Sequence, residues 1–357
     1  MHAGHPPNRI RSLVVAIFFC IPYLIAGCED RKSIQSTKSF EGSSANTSAG
    51  QSVAGPSSTA PASSQFEYRS VGSELGIDFR YQNGESAWLT AMIESNGGGV
   101  GWIDFDRDGR WDLFLPGGGL LTQERKPIMV ANGLFKQTPG DRFESIADRA
   151  RVDQGVCYSF GAAVSDYDSD GFPDIFISGY GGQQLLRNMG DGTFEDWTQI
   201  AGFEHRGWSS SAAWLDLDND GDLDLYIAHY GVWTPETDKR CLNNQGEVDR
   251  CAPADYVGES DELWINQGDG SFANASEFLQ AFQYRGIGVI ACDFDHDGDT
   301  DLYVANDEDP NTLFDNQGSG TLKEIGAQSG TNLGSRSIVD GSMGLALGDR
   351  KSTRLNS

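Results

Sequence analysis

The sequence predicts an all-β fold, a β-propeller built of four-stranded blades, and three observations lead there. A nine-residue motif, D-x-D-x-D-G-x-x-D, occurs four times: DFDRDGRWD at 104, DYDSDGFPD at 166, DLDNDGDLD at 216 and DFDHDGDTD at 293. Each copy is entered by a run of small apolar residues (GGGVGWID, SFGAAVSD, SAAWLD, GVIACD) and left by a β-rich run (WDLFLPG, PDIFISG, LDLYIAH, TDLYVAN). A third element follows in each (GLFKQ, QLLRNMGDGTF, ELWINQGDGSF, TLFDNQGSGTL). From the second copy on, an Asp-Gly or Ser-Gly pair signals a hairpin there, because glycine accepts the positive φ of a tight turn. Units of about four short strands with almost no helical period, beginning 62, 50 and 77 residues apart, match propeller blades. A fifth unit begins at Met343-Gly344-Leu345-Ala346-Leu347-Gly348-Asp349.

The loops explain the charge. The chain has 52 acidic against 26 basic residues, a net charge of −26, which argues against nucleic acid or an anionic membrane surface and for cations. Eighteen aspartates sit in the four motifs, sixteen of them at the shared positions one, three, five and nine. Carboxylates ~4–5 Å apart in a partly exposed loop repel by roughly 3–4 kcal/mol per pair, so such clusters call for an ion. An EF-hand would need a bidentate Glu at position twelve and a helix after it. Position twelve is instead Leu115, Ile177, Ile227 and Val304, all in strand-like runs.

Carboxylates at positions one, three, five and nine therefore form the expected ligand set: Asp104, Asp106, Asp108 and Asp112; Asp166, Asp168, Asp170 and Asp174; Asp216, Asp218, Asp220 and Asp224; Asp293, Asp295, Asp297 and Asp301. The position-seven carbonyls of Arg110, Phe172, Asp222 and Asp299 complete it, and Gly109, Gly171, Gly221 and Gly298 permit the reversal. Hard oxygen donors suit Ca²⁺ better than Zn²⁺, giving about one Ca²⁺ per loop, four in the chain, with a structural role.

At the N-terminus Arg9 and Arg11 precede an apolar run, Leu13 to Ile25, too short for a convincing membrane span. Ile25-Ala26-Gly27-Cys28 is similar to a bacterial lipobox. The expected organisation is a lipoprotein signal peptide (1–27), a lipidated Cys28, a disordered Ser/Thr/Ala/Gly-rich tether (28–65) and a partial propeller (66–348) with an insert at about 229–261. Such a protein is exported to the cell envelope, periplasmic side or cell surface, and meets the membrane only through its lipid. Residues 349–357, DRKSTRLNS, resemble sequencing-adapter read-through, which would make the chain a fragment. Cys241 and Cys251 share one polar loop and are expected to pair, while Cys157 and Cys292 read as buried thiols.

These loops, with Ser159-Phe160-Gly161, Val304-Ala305-Asn306-Asp307, Pro310-Asn311 and the Cys241…Cys251-Ala252-Pro253 insert, resemble the calcium-binding FG-GAP/VCBS repeats also found in integrin α subunits. More narrowly they resemble bacterial relatives of cartilage acidic protein, whose opening strands are matched by Phe66 to Gly84. That resemblance implies an integrin-α-like propeller of seven blades when complete, often followed by an ASPIC/UnbV-type domain. This chain shows neither seven such loops nor that domain.

A propeller does not name its function. The expected role is an adhesion or ligand-binding module for a protein or carbohydrate, with Tyr180, His229, Tyr230, Trp233 and Asp307 as a candidate ligand face. Packing of Tyr230 and Trp233 onto their blade is the slightly favoured reading of those rings. The alternatives are a calcium-dependent polysaccharide lyase or hydrolase and a scaffold subunit of a membrane-associated complex. Past the signal the histidines are His205, His229 and His296, and no GxSxG, Cys/His or HExxH pattern occurs, so an enzyme is not expected.

Overall fold

Each Asp-rich loop joins the first two strands of a four-stranded antiparallel sheet whose strand order follows the chain. The computed structural model describes residues 68–347 apart from 205, 206, 281, 335 and 336. The signal segment, Cys28, the tether, Phe66, His205, Gly348, Asp349 and the tail lie outside the described residues.

The first blade comprises Gly101–Ile103, Asp112–Leu115, Gly133–Thr138 and Arg142–Ser145. The second comprises Tyr158–Ser165, Asp174–Tyr180, Gln184–Asn188 and Phe194–Asp196. Ser209–Leu215, Asp224–His229, Glu262–Asn266 and Phe272–Asn274 form the third. Gly286–Cys292, Asp301–Asn306, Thr312–Asn316 and Leu322–Glu324 form the fourth. The fold is all-β, with sheets of the kind propeller blades use.

The small residues that open each unit have a steric cause. First strands approach the neighbouring blade closely: Ser210 Oγ donates to Gly286 O on the fourth blade's first strand at 2.7 Å, and Ser178 Oγ, on the second blade's second strand, donates to Ser210 O at 3.0 Å. A Cβ on Gly99 would lie 2.6 Å from Phe160 O, so only glycine fits there. The first strands of the second, third and fourth blades each carry a register shift at the same place, at Ser159/Gly161, Ser209/Ser211 and Gly286/Gly288. Second strands are enclosed, which explains their unbroken apolar runs; in Asp224–His229 every residue is buried.

Apolar layers fill the spaces between blades. Ile103, Phe105, Phe114 and Leu134 meet Ile175, Ile177, Leu186 and Phe194 between the first and second. Tyr167, Phe176 and Leu185 meet Leu225, Ile227, Trp264 and Phe272 between the second and third. Tyr226 and Leu263 meet Leu302, Val304 and Phe314 between the third and fourth. Each such side chain contributes about 1.5–3 kcal/mol when fully buried.

Two regions depart from the expected pattern. The described part of the opening segment is not a pair of strands: it holds a helical turn, Gly72–Leu75, and a two-residue strand, Gln82–Asn83. That strand pairs in parallel with Gly118–Leu121, part of a hairpin with Pro127–Met129 that leaves the first blade. Gly76 takes a left-handed conformation (φ 95°) that ends the turn, and Phe79 packs edge-on against Phe135 at 6.2 Å, a side-chain contact that adds to the strand pairing. Cys292 is only half-buried, unlike the buried Cys157, and both are free thiols.

The insert after the third blade's second strand contains the Cys241–Cys251 disulfide, with Cα atoms 5.1 Å apart, beside the short hairpin Cys241–Leu242 and Val248–Asp249. Asp238 is its hub. The enclosed carboxylate accepts Trp233 Nε1–H at 2.7 Å and Tyr256 O–H at 3.0 Å, and it pairs with Arg125. Arg125 lies in the turn of the hairpin that leaves the first blade, so the insert is tied across to it.

Candidate metal centre

The four loops share one backbone course. Position four is left-handed in each, at Arg107, Ser169, Asn219 and His296 (φ 57°, 55°, 62° and 68°). The position-six glycines follow at 81°, 92°, 95° and 101°, where a Cβ would be strained. Two reversals two residues apart turn alternate side chains the same way. The position-one carboxylate then accepts the position-six N–H, as in Asp166 with Gly171 at 2.9 Å and Asp104 with Gly109 at 3.0 Å. The position-five carboxylate accepts the position-seven N–H in every loop, from Arg110, Phe172, Asp222 and Asp299, at 2.9–3.0 Å.

Within each loop three carboxylates present oxygens within 4.8 Å of one another: Asp104, Asp106 and Asp108; Asp166, Asp168 and Asp174; Asp216, Asp218 and Asp220; Asp293, Asp295 and Asp297. Four oxygens in these groups, Asp106 Oδ1, Asp166 Oδ1, Asp216 Oδ1 and Asp218 Oδ1, are enclosed without a hydrogen-bond donor. Enclosed acceptors of one sign that gather in hard-oxygen sets fit a Ca²⁺-type cation.

Position nine differs from the expectation. The structure brings Asp174 into its cluster, but Asp112, Asp224 and Asp301 stand outside theirs. All four position-nine carboxylates are buried and accept two backbone N–H groups each. Asp224 takes Leu217 N–H at 2.9 Å and Asn266 N–H at 2.8 Å; Asp301 takes Phe294 and Asn316 at 2.9 and 2.8 Å. Asp112 binds Phe105 and Gln137 at 3.3 and 2.7 Å, and Asp174 binds Tyr167 and Asn188 at 3.2 and 2.7 Å. This residue therefore pins the loop to the third strand of its own blade.

Burial pushes Asp174 up to about 8 and Asp112 and Asp224 up to about 6; neighbouring aspartates add to the rise and the amide bonds oppose it. Burial, with nearby carboxylates, also raises Asp166 and Asp218. Asp108 moves the other way. Desolvation raises it, but the Arg110 N–H and Lys136 outweigh that and hold it low.

Sequence reasoning missed the asparagine that receives this pin. Asn188, Asn266 and Asn316 close the third strands, and each reaches across to the preceding blade. Asn188 Nδ2 donates to Phe105 O at 2.8 Å, Asn266 Nδ2 to Tyr167 O at 2.9 Å and Asn316 Nδ2 to Leu217 O at 2.8 Å. Each acceptor is position two of the neighbouring loop. The same amides also bind position eight of their own loops, Pro173, Leu223 and Thr300, at 3.1, 3.1 and 3.2 Å. The signal was present as Asn two places before Gly in NMGDG, NQGDG and NQGSG; the first blade has Gln137 there.

The candidate ligand face is an interior. His229, Tyr230, Trp233 and Asp307 are all buried and Tyr180 is half-buried. Tyr230 O–H donates to Asp307 at 2.8 Å, and Trp233 stands edge-on to Tyr180 at 4.9 Å. Tyr230 and Trp233 belong to one buried cluster with Tyr158, Phe160 and Trp208, so these rings serve packing.

Residues 166–227, 242–304 and 293–349 match the FG-GAP-like repeat model. These segments are FG-GAP-like repeats. The three matched segments contain the second, third and fourth loops, each with the gathered carboxylates just described. No curated protein matches the chain. Among solved structures it is similar to an Agrocybe aegerita lectin described as recognising non-reducing terminal N-acetylglucosamine (18% identity, TM-score 0.26, 63% of this chain and 65% of the lectin). It is also similar to a GH43_1 enzyme from Xanthomonas citri (14%, TM-score 0.33, 67% and 78%). A third is the V. cholerae biofilm matrix protein Bap1 (15%, TM-score 0.30, 63% and 38%). The chain thus spans under two thirds of the lectin and of Bap1, and at these scores the likenesses carry no argument about ligand or activity.

Proposed function

We propose that the FG-GAP-like repeats form a calcium-dependent, non-enzymatic binding module carried on the cell envelope by a lipid at Cys28. One observation carries the calcium reading: four loops of identical course gather carboxylates, and enclosed oxygens among them accept no hydrogen bond. Asp104, Asp106 and Asp108, with their counterparts in the other loops, would hold the ion. The carbonyls of Arg110, Phe172, Asp222 and Asp299 would join them, as would Asp174, while Asp112, Asp224 and Asp301 brace their loops from behind. Bound Ca²⁺ supplies positive charge that cancels the repulsion among these side chains.

Affinities of extracellular modules, around 10⁻⁴ to 10⁻³ M, suit an exported protein. The lipobox-like segment and tether support export, and the acidic surface supports a partner that is neither nucleic acid nor an anionic bilayer. A protein or carbohydrate ligand at the cell surface is the partner class this reading favours. A glycan and protein array probed with calcium-loaded and EDTA-treated protein tests it: calcium-dependent capture supports the reading. Turnover of a polysaccharide, abolished by replacing a carboxylate outside the loops, would contradict it.

A further inference from the structure

We propose that the four loops bind their ions in two classes, set by the third-strand residue one place before Gln137, Asn188, Asn266 and Asn316. The inference rests on the calcium reading above. In chain order that residue is Lys136, Arg187, Ile265 and Asp315, so a single strand position passes from basic through apolar to acidic.

In the first blade Lys136 Nζ pairs with Asp106 Oδ2 and lies 3.3 Å from Asp108 Oδ2, which Arg110 also binds at 2.6 Å. In the second, Arg187 Nε donates to Asp168 Oδ2 at 2.5 Å and Nη2 to Asp170 Oδ2 at 3.2 Å. The Trp197 ring, 4.4 Å from the guanidinium carbon, holds that group in place. The basic groups use Oδ2 atoms, while Asp106 Oδ1 and Asp166 Oδ1 stay enclosed and unpartnered. They neutralise the ligands without taking up all the oxygens an ion would need.

The other two loops have no such guard. Each carries a fifth aspartate at position seven, Asp222 or Asp299. No Lys or Arg among the described residues forms an ion pair with any aspartate of either loop. Ile265 leaves the third loop's charge untouched. Asp315 adds to the fourth, near enough to act on Asp301, and its cross-strand neighbour Lys323 makes no ion pair with it.

Two consequences follow from electrostatics. A unit positive charge roughly 6 Å from a divalent ion lowers its affinity about tenfold even in a water-like dielectric. The first and second loops therefore bind more weakly, yet their carboxylates have partners when the ion leaves. The third and fourth bind more tightly and lose their order without it.

Isothermal titration of CaCl2 into the EDTA-stripped full chain tests this. The expected result is two tight and two weak equivalents, at least about tenfold apart. Lys136→Gln and Arg187→Gln should each move one equivalent from the weak class to the tight, and Asp315→Lys should move one the other way. A melt at saturating calcium confirms that each variant folds. Four equivalents of one affinity, or Gln variants that leave the distribution unchanged, overturn the two-class proposal and leave the calcium reading standing; no uptake overturns both. Hydrogen exchange of the calcium-free protein gives a second readout, with 216–224 and 293–301 expected to exchange faster than 104–112 and 166–174. Equal rates would contradict the proposal.

Discussion

Asn188 offers the sharpest test of how the blades are joined. Asn188→Ala removes two donated bonds, to Phe105 O at 2.8 Å and Pro173 O at 3.1 Å, and one accepted from Gly190 N–H at 3.0 Å. The side chain is fully buried, so water cannot replace it. At about 1 kcal/mol net per bond, plus the desolvation of a Phe105 carbonyl left without this donor, the loss should be about 3–4 kcal/mol. Urea denaturation at saturating calcium measures it as a fall in midpoint at unchanged slope. Gln137→Ala is the internal control: among the described residues the Gln137 side chain makes no hydrogen bond, and its backbone N–H to Asp112 survives the change. That variant should stay within about 0.5 kcal/mol of the parent. Asn188→Asp keeps the Gly190 acceptor but aims a carboxylate at two carbonyls, so it should cost at least as much as alanine. An Asn188→Ala loss below about 1 kcal/mol, or one equal to that of Gln137→Ala, would refute the cross-blade latch.

Asp261 accepts Tyr226 O–H at 2.5 Å and His229 N–H at 2.8 Å, and burial pushes it up to about 7. A raised carboxylate favours the protonated fold, so stability should fall as pH rises from about 4 to 7 and level off above, by up to about 4 kcal/mol. Asp261→Asn should flatten that slope in melts taken across the range; an unaltered slope would place the titration elsewhere. Trp233→Ala removes a buried ring and its bond to Asp238 and should cost about 3–5 kcal/mol in denaturation, a packing effect that a surface ligand contact would not produce. Cys241→Ser with Cys251→Ser opens a short loop (sequence separation 10) and should cost up to about 3 kcal/mol, seen as faster hydrogen exchange across 230–261.

What the sequence made legible was whatever repeated. Four loops agreeing at five positions identified the turn, its glycine and its flanking strands, and the structure places Asp104, Asp166, Asp216 and Asp293 together with their neighbours as that spacing requires. Position nine looked like one more ligand because its residue type matches the others. Its second amide partner, Gln137, Asn188, Asn266 or Asn316, comes from the third strand, 25, 14, 42 or 15 residues away, and no pattern within the nine-residue motif encodes that. The cross-blade asparagines were visible as letters, but their acceptors lie 83, 99 and 99 residues away. Tyr230 and Trp233 suggested a ligand face because they sit in a long polar insert. The enclosed Asp238, which draws Trp233, Tyr256 and Arg125 to one point, turns that insert inward.

The central claim is that divalent ions balance the clustered aspartates of the four loops. Differential scanning calorimetry of the full chain in excess EDTA and in about 10 mM CaCl2 tests it most directly, since a site with Kd near 10⁻⁴ M adds about 2.7 kcal/mol at hundredfold excess. The account predicts a melting temperature that rises by many degrees with calcium. The same melting temperature in both buffers would contradict it.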